Sequence, residues 1–180
     1  PNINVAESHF LTINASLAVY KTLKNLGLNI DIKWPNDILY KNKKLCGILS
    51  EMSANTKKLN YAITGIGINV NQKNFADEIK DKATSIYKIK NQEISRLFLL
   101  KNILINFEDY YKRFINGEKD KLLDEWKDKI ALLGKIITVK SDGKVYEGKA
   151  IDIEKNGRLM LLNENNEIIK FWAGDASIKY

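Results

Sequence analysis

Apolar side chains recur at helical spacing in the first segment of the chain. In residues 6–26 they fall three and four positions apart, and Gly27 follows as a residue that commonly ends a helix. Residues 30–34 then alternate between apolar and polar, which is the two-residue period of a strand. The pattern predicts a helix and a short strand, and Pro35 ends the strand because it has no N–H for a ladder hydrogen bond.

The next apolar stretches are too short for helices and predict three more strands. Residues 38–52 form a hairpin pattern around a polar turn at residues 41–43. Residues 61–70 are rich in β-branched side chains, but Gly65 and Gly67 interrupt them. Glycines inside a strand indicate a bulge or the close approach of a ligand or another backbone segment.

The rest of the chain divides into a helical and a β-rich part. Residues 92–115 and 119–130 have helical periodicity, whereas residues 134–180 show about five short strands separated by turns. A unit of about 47 residues is marginal alone, so it should pack on the larger part. We predict an α/β fold, a mixed sheet with helices, over residues 1–130, followed by a small β-barrel over residues 131–180.

The net charge of +7 comes almost entirely from lysine, since Arg96, Arg113 and Arg158 are the only arginines. Proteins that read DNA sequence usually rely on arginine for bidentate base contacts. The predicted barrel strands also lack alternating aromatic residues and arginines, so a nucleic-acid-binding barrel is the weakest hypothesis. Two interpretations of the charge stay open: solvated surface lysines, or an anionic substrate or partner.

Several absences in the sequence indicate a cytoplasmic protein without a membrane anchor. No apolar run approaches the roughly 18 residues of a membrane span, and no signal segment opens the chain. Cys46 is the only cysteine, so no internal disulfide can form. His9 is the only histidine, and no Cys/His set suggests a protein metal site. We expect Cys46 and His9 to be structural.

The segment Lys33-Trp34-Pro35-Asn36-Asp37 places a single lysine at the end of a strand. Because a residue before proline is restricted to extended geometry, Lys33 and Trp34 should point to opposite faces. One face then receives the indole as core and the other presents an ammonium. The alternative is an ordinary surface lysine before a turn in which Asn36 and Asp37 bond their own backbone.

Three companion segments make this pattern specific. They are LCGILSE at 45–51, GIGINVN at 65–71 and ATSI at 83–86. Together with KWPND, they resemble the central motifs of the biotin protein ligases, which attach biotin to biotin-dependent carboxylases. The opening residues 1–23 resemble the helix before KWPND. The ending FWAGDASIKY resembles that family's C-terminal SH3-like domain.

The resemblance implies a fold, a reaction and its partners. The fold is a class II synthetase-like catalytic domain followed by an SH3-like barrel. Biotin and ATP, with Mg²⁺, give biotinyl-5′-AMP, and a lysine of a biotin carboxyl carrier domain then accepts the biotin. The alternative is a non-catalytic protein-binding or regulatory module derived from the ligase.

The resemblance also implies roles for single residues. Lys33 is the expected catalytic residue, in contact with the biotinyl carbonyl and the adenylate phosphate. Asn36 and Asp37 have two interpretations, as turn residues or as polar site residues. Asn69 also has two, as an adenylate contact or as a strand-end cap. The expected biotin- or adenylate-binding set is Lys33, Asn36, Asp37, Gly47, Gly65, Gly67 and Asn69.

The chain departs from the family pattern at its front. Family members carry an Arg/Gly-rich loop upstream of the first helix that clamps biotin and phosphate, and these 180 residues contain no such loop. They also contain no helix-turn-helix of the kind that lets some members bind DNA. We therefore expect the C-terminal portion of a ligase, weak or inactive alone. If upstream strands are absent, an uncovered sheet edge could form a homodimer or bind a second chain.

Overall fold

The structure is a computed structural model that describes residues 3–55 and 59–179. A short 3₁₀ helix and one long helix open the chain, and four strands follow. Their bounds are Val5–Glu7 for the 3₁₀ helix, His9–Asn25 for α1, Asp31–Lys33 for β1, Asp37–Tyr40 for β2, Lys43–Ala54 for β3 and Leu59–Ile68 for β4. The predicted helix and strands in this half are confirmed, with ends that differ by a few residues.

Strands β1 to β4 form one antiparallel sheet in sequence order. The turn between β2 and β3 has Lys41 and Asn42 at positive φ, 47° and 63°, which suits the twist of a tight hairpin. Helix α1 lies against one face of this sheet. The core between them contains Ala15, Val19, Leu23, Ile38, Cys46 and Ile48, all buried. The opposite face of β3 and β4 is open to solvent.

Three further helices follow the first sheet. Their bounds are Ile86–Lys90 for α2, Arg96–Ile115 for α3 and Lys119–Lys127 for α4. Helix α3 begins later than the predicted residue 92 because the Ser95 side chain accepts a hydrogen bond from Phe98 N–H, which makes Ser95 the N-cap. No helix within the described ranges is both long and apolar enough to span a bilayer.

The five predicted C-terminal strands are confirmed. Their bounds are Ile136–Ser141 for β5, Lys144–Ile153 for β6, Leu159–Leu162 for β7, Ile168–Phe171 for β8 and Asp175–Ile178 for β9. They form an antiparallel sheet in the order β8-β7-β6-β5-β9. Each strand contributes to one core, with Val139, Ala150, Leu161, Phe171 and Ala176 all buried. The sheet therefore curls as an SH3-like barrel, although no ladder joins β8 to β9 among the described residues.

One hydrophobic core spans both parts of the chain. Phe10, Trp34 and Trp126 belong to the same buried cluster as the inner side chains of the barrel. The Trp34 indole N–H also donates to the Gly157 carbonyl at 3.0 Å, and β1 forms an isolated parallel bridge from Ile32 to Ile130. The barrel therefore packs on the end of β1, as expected, while a boundary between residues 130 and 131 stays a prediction.

Candidate active site

Four residues from four neighbouring strands lie directly opposite one another across the first sheet. Lys33 of β1 pairs with Asp37 of β2, Asp37 with Gly47 of β3, and Gly47 with Gly67 of β4. Directly paired residues point to the same face of a sheet, so all four share one surface. We call them the cross-strand row. At a strand spacing of about 4.8 Å, the row is about 14 Å long.

Lys33 stands at the end of the row nearest the barrel. Trp34 is only 1% exposed, so the predicted division between a core indole and an ammonium on the other side agrees with the structure. The Trp34–Pro35 peptide is cis. The Lys33 ammonium donates to Asp175 Oδ1 at 2.6 Å. This hydrogen bond holds the pKa of the Asp175 carboxyl below its usual range.

Asp37 forms a second ion pair inside the row. It is the first residue of β2 rather than part of the turn, and its Oδ1 lies 2.7 Å from Lys44 Nζ. Gly47 leaves room for this pair, because a Cβ at that position would lie 3.1 Å from Lys44 Nζ and 3.4 Å from Asp37 Oδ1. Gly47 thus adjoins two charged groups.

Lys44 is a candidate site residue that the sequence pattern did not reveal. Simple alternation along β3 would put Lys44 and Gly47 on opposite faces, because they are three positions apart. The β2–β3 ladder shifts register between Ile38 and Leu39, so Gly47 pairs with Asp37 while Lys44 pairs with Leu39. This irregularity brings the Lys44 ammonium onto the face of Asp37, and no residue type in the segment marks it.

Asn36 is engaged with the backbone of β3. Its side-chain amide donates to the Ile48 carbonyl at 2.6 Å, and the Ile48 N–H donates to the Asn36 carbonyl at 3.0 Å. This reciprocal pair ties the turn after β1 to the middle of the sheet. The geometry favours the turn interpretation of Asn36, because its side chain bonds the backbone of β3.

A cavity of about 430 Å³ opens at the glycine end of the row. Its lining includes Lys44, Gly47, Gly67, Asn69, Phe75, Ile79 and Ala83. Asn69 follows β4, where its backbone N–H donates to the Leu45 carbonyl at 2.9 Å and its side-chain amide lies 3.4 Å from the Lys44 carbonyl. A largely apolar cavity with an ammonium and an amide at its edge can hold a planar ring that carries an anionic group.

The remaining predicted residue, Gly65, lies outside this cavity. It pairs with Leu49 two positions along β4 from Gly67, on the same open face. A Cβ at Gly65 would be 3.7 Å from the Leu49 carbonyl oxygen, which is ordinary contact. Packing within the protein therefore does not require glycine at position 65.

The other reactive side chains are held in structural roles. Cys46 is 1% exposed, and burial raises the pKa of its thiol to about 12, so it is not a ready nucleophile. The His9 ring nitrogens each lie 3.1 Å from a carbonyl oxygen, of Ala6 and of Lys155. Within residues 3–55 and 59–179, no three His, Cys, Asp or Glu side chains are grouped to hold a metal ion.

Two family models match the chain at separate places. The biotin/lipoate A/B protein ligase family matches residues 1–69, and the biotin protein ligase C-terminal domain matches residues 132–179. The bifunctional ligase/repressor BirA of Bacillus subtilis is 34% identical over 181 residues, which is 99% of this chain and 55% of that protein. The biotin--[acetyl-CoA-carboxylase] ligase of Mycobacterium tuberculosis is 27% identical over 157 residues, which is 84% of this chain and 56% of that protein.

Solved structures agree with these matches. Biotin protein ligase from Aquifex aeolicus superposes with a TM-score of 0.82 at 27% identity, covering 99% of this chain and 80% of that one. The same enzyme in complex with biotin and ATP gives a TM-score of 0.80 and covers 76% of that chain. The chain spans about half the length of the curated relatives it matches. Motifs, fold and both family models agree, and the chain belongs to the biotin protein ligase family.

Proposed function

We propose that this chain forms part of an ATP-dependent biotin protein ligase. In that reaction biotin is activated to biotinyl-5′-AMP and then transferred to a lysine of a biotin carboxyl carrier domain. The observation that carries the proposal is the cross-strand row. Lys33 stands at one end of it, a glycine-floored cavity opens at the other, and the Lys44 ammonium, paired with Asp37, lies at the edge of that cavity. The Aquifex aeolicus ligase, described in complex with biotin and ATP, supports the same ligands here.

The first chemical step brings two anions together. The biotin carboxylate attacks the α-phosphate of ATP, a carboxylate–phosphate bond forms, and pyrophosphate leaves. Lys33 and Lys44 would stabilise the charge that develops on the phosphoryl oxygens, because each ammonium is a compact point charge already held in position. Asp37 and Asp175 hold these ammoniums at 2.7 Å and 2.6 Å in the free chain.

The second step transfers biotin from phosphate to nitrogen. The uncharged ε-amine of the acceptor lysine attacks the mixed-anhydride carbonyl, an amide bond forms, and AMP leaves. The open face beside Gly65 and Gly67 gives the acceptor access to the sheet surface. We propose that biotin lies along this face and that adenine occupies the cavity between Asn69, Phe75 and Ile79.

Mg²⁺ fits this site as a companion of ATP. The ion usually binds proteins through one or two carboxylates together with substrate phosphates. Asp37 belongs to the cross-strand row, and Asp175 contacts Lys33 from the barrel. Their two carboxylates would supply those ligands. When bound, Mg²⁺ neutralises phosphate charge and so assists the same step as the two lysines.

Biotin-dependent ATP–pyrophosphate exchange tests the proposal. We expect weak exchange from this chain and strong exchange when it is extended at its front by the Arg/Gly-rich loop segment that the family resemblance implies. In the extended protein, Lys33→Ala should lower the exchange rate by about 10²–10³, the scale of one lost charge-stabilising donor. Lys149→Ala, which removes an exposed lysine from the barrel strand β6, a strand that does not pair with β9, is the matched control.

Three results would each contradict one part of this assignment. No exchange from either protein would rule out the ligase, and full exchange from the 180-residue chain would rule out the expected weakness. An unchanged rate in Lys33→Ala would remove Lys33 from the catalytic role. Transfer of biotin to a carrier domain, followed by mass spectrometry of the acceptor lysine, checks the second step.

The open face of the first sheet favours a second candidate function, a non-catalytic protein-binding module. Leu49 and Ile63 are each 60% exposed there, and Tyr61 is 55% exposed. Exposed apolar patches of this kind often mark protein contacts, including contacts between identical subunits. Sedimentation velocity of the chain tests the homodimer. Carrier-domain binding without any exchange activity would favour the module over the ligase.

A further inference from the structure

We propose that Lys140 of the barrel forms, with Lys33 and Lys44, a subsite for the β- and γ-phosphates of ATP, which leave as pyrophosphate. The inference rests on the proposed function and extends it by assigning a phosphate-binding residue to the C-terminal domain. Nothing in the KWPND, GIGINVN or companion segments points to Lys140, since it lies in the first barrel strand.

The geometry that carries the proposal is a continuous line of alternating charges across the two domains. Lys140 of β5 is paired in register with Asp175 of β9, so both side chains leave the barrel on the same face. Asp175 contacts Lys33 at 2.6 Å, Lys33 pairs in register with Asp37, and Asp37 contacts Lys44 at 2.7 Å. Positive and negative groups therefore alternate from Lys140 to Lys44.

Lys140 stands at one end of this line of charges, and its ammonium forms no ion pair with a carboxylate in the described part of the chain. It is exposed, and no hydrogen bond or ion pair within 4.0 Å holds its ammonium among residues 3–55 and 59–179. Lys33, Lys140 and Lys44 all act on Asp175 and lower the pKa of its carboxyl, with the Lys33 hydrogen bond as the largest cause. Lys33 contacts this carboxylate directly, and Lys140 lies opposite it in the barrel sheet.

The order of the groups fits an extended nucleoside triphosphate. The apolar cavity lies at the Gly67 end of the row, Lys44 and Lys33 follow, and Lys140 lies beyond Asp175 on the barrel. A base in the cavity and an α-phosphate at Lys44 and Lys33 would direct the outer phosphates toward Lys140. In the free chain, the two carboxylates separate three like charges that would otherwise repel one another.

Binding of a triphosphate would exchange partners along this line. Phosphate oxygens would take the place of Asp175 on Lys33, and Lys140, directly opposite Asp175, is placed to pair with the γ-phosphate. That contact would favour a ligand that carries outer phosphates over one that carries only the α-phosphate. The subsite therefore predicts discrimination between ATP and AMP.

Isothermal titration calorimetry with ATP, AMP and inorganic pyrophosphate tests the subsite on the chain as it stands. Lys140→Ala should weaken ATP and pyrophosphate binding on the order of fivefold, as for the loss of one partly exposed charge contact, and leave AMP binding unchanged. Lys140→Arg keeps the charge and should retain most of the affinity. Lys149→Ala removes an exposed lysine from the next barrel strand and is the matched control.

Each outcome decides the proposal. Equal ATP affinity in the unchanged chain and Lys140→Ala would overturn it, as would equal weakening by Lys149→Ala or no pyrophosphate binding by the unchanged chain. Lys140-dependent binding by this chain, with no biotin-dependent exchange even in the extended protein, would keep the subsite and reject the ligase reaction. Exchange that is insensitive to Lys140 would keep the ligase reaction and reject the subsite. Circular dichroism confirms that each variant is folded.

Discussion

The Lys33 ammonium and the Asp175 carboxylate meet at 2.6 Å although they lie 142 positions apart in the chain. Lys33 ends β1 in the first sheet, whereas Asp175 begins β9 in the barrel. The contact follows from the core that the two parts share, which fixes the barrel against the end of β1. The C-terminal domain thereby sets the position of the candidate catalytic ammonium.

Replacing Asp175 should change the acid stability of the protein. The folded-state pKa of Asp175 is lowered from 3.8, mainly by the Lys33 hydrogen bond, so the ion pair stabilises the fold above about pH 4. This stabilisation is lost as the pH falls through the lowered pKa. Because the Asp175 side chain is 68% exposed, solvent screening limits it to about 1 kcal/mol or less.

Thermal melting against pH checks this expectation. The melting temperature of Asp175→Asn should lie below that of the unchanged chain by a constant amount at neutral pH, and the two should converge below about pH 4. Asp124→Asn, an exposed α4 residue without an ion pair in the described part of the chain, is the control. A gap that widens on acidification would reverse the sign and exclude the ion pair as its cause.

Lys44 should matter as much to adenylation as Lys33. Its ammonium lies 2.7 Å from Asp37 and at the edge of the cavity, so Lys44→Ala should lower biotin-dependent exchange in the extended protein by about 10². The neighbouring Lys43→Ala removes the same charge at the first position of β3 and should have little effect. Equal losses in both variants would indicate a general charge effect instead of a site contact.

The sequence predicted the members of the row but not their alignment. Lys33, Asp37, Gly47 and Gly67 are expected as site residues because their segments resemble the family motifs, whereas the register that sets them opposite one another depends on how the four strands pair. Lys44 depends on a register shift in the β2–β3 ladder, which no motif encodes. Asp175 reaches Lys33 only through packing of the barrel against β1, which is a property of the shared core and not of either segment.

Replacing Gly67 by alanine should leave the stability of the fold unchanged but weaken ligand binding in the cavity. A Cβ there would lie 3.8 Å from the Gly47 carbonyl oxygen, an ordinary contact, so Gly67→Ala should keep its melting temperature. The added methyl would enter the floor of the cavity, so AMP binding measured by calorimetry should weaken by about tenfold, the effect of 1.4 kcal/mol.

Gly65→Ala is the matched control for Gly67→Ala. Its Cβ also meets a carbonyl oxygen at ordinary distance, 3.7 Å from Leu49, but Gly65 does not line the cavity. We expect its AMP affinity to be unchanged. A lower melting temperature in Gly67→Ala, with AMP affinity retained, would assign that glycine to folding instead of binding.

Gly148 is the opposite case, a glycine that the barrel itself requires. A Cβ at this position would overlap the Leu162 carbonyl oxygen and lie 2.8 Å from the Leu162 carbonyl carbon and 3.1 Å from Asn163 Cα. All three atoms belong to the backbone, so no side-chain rotation can relieve the overlap. Gly148→Ala should therefore lower the free energy of unfolding by about 1–3 kcal/mol.

Urea unfolding of Gly148→Ala, followed by both tryptophan fluorescence and far-UV circular dichroism, measures this loss and its extent. Because Phe10 and Trp126 share one core with the inner side chains of the barrel, we expect both signals to shift together in one transition. Gly67→Ala, with its ordinary Cβ contact, should unfold at the same urea concentration as the unchanged chain. A separate early transition confined to the barrel would contradict a common core, and it would also uncouple Asp175 from Lys33.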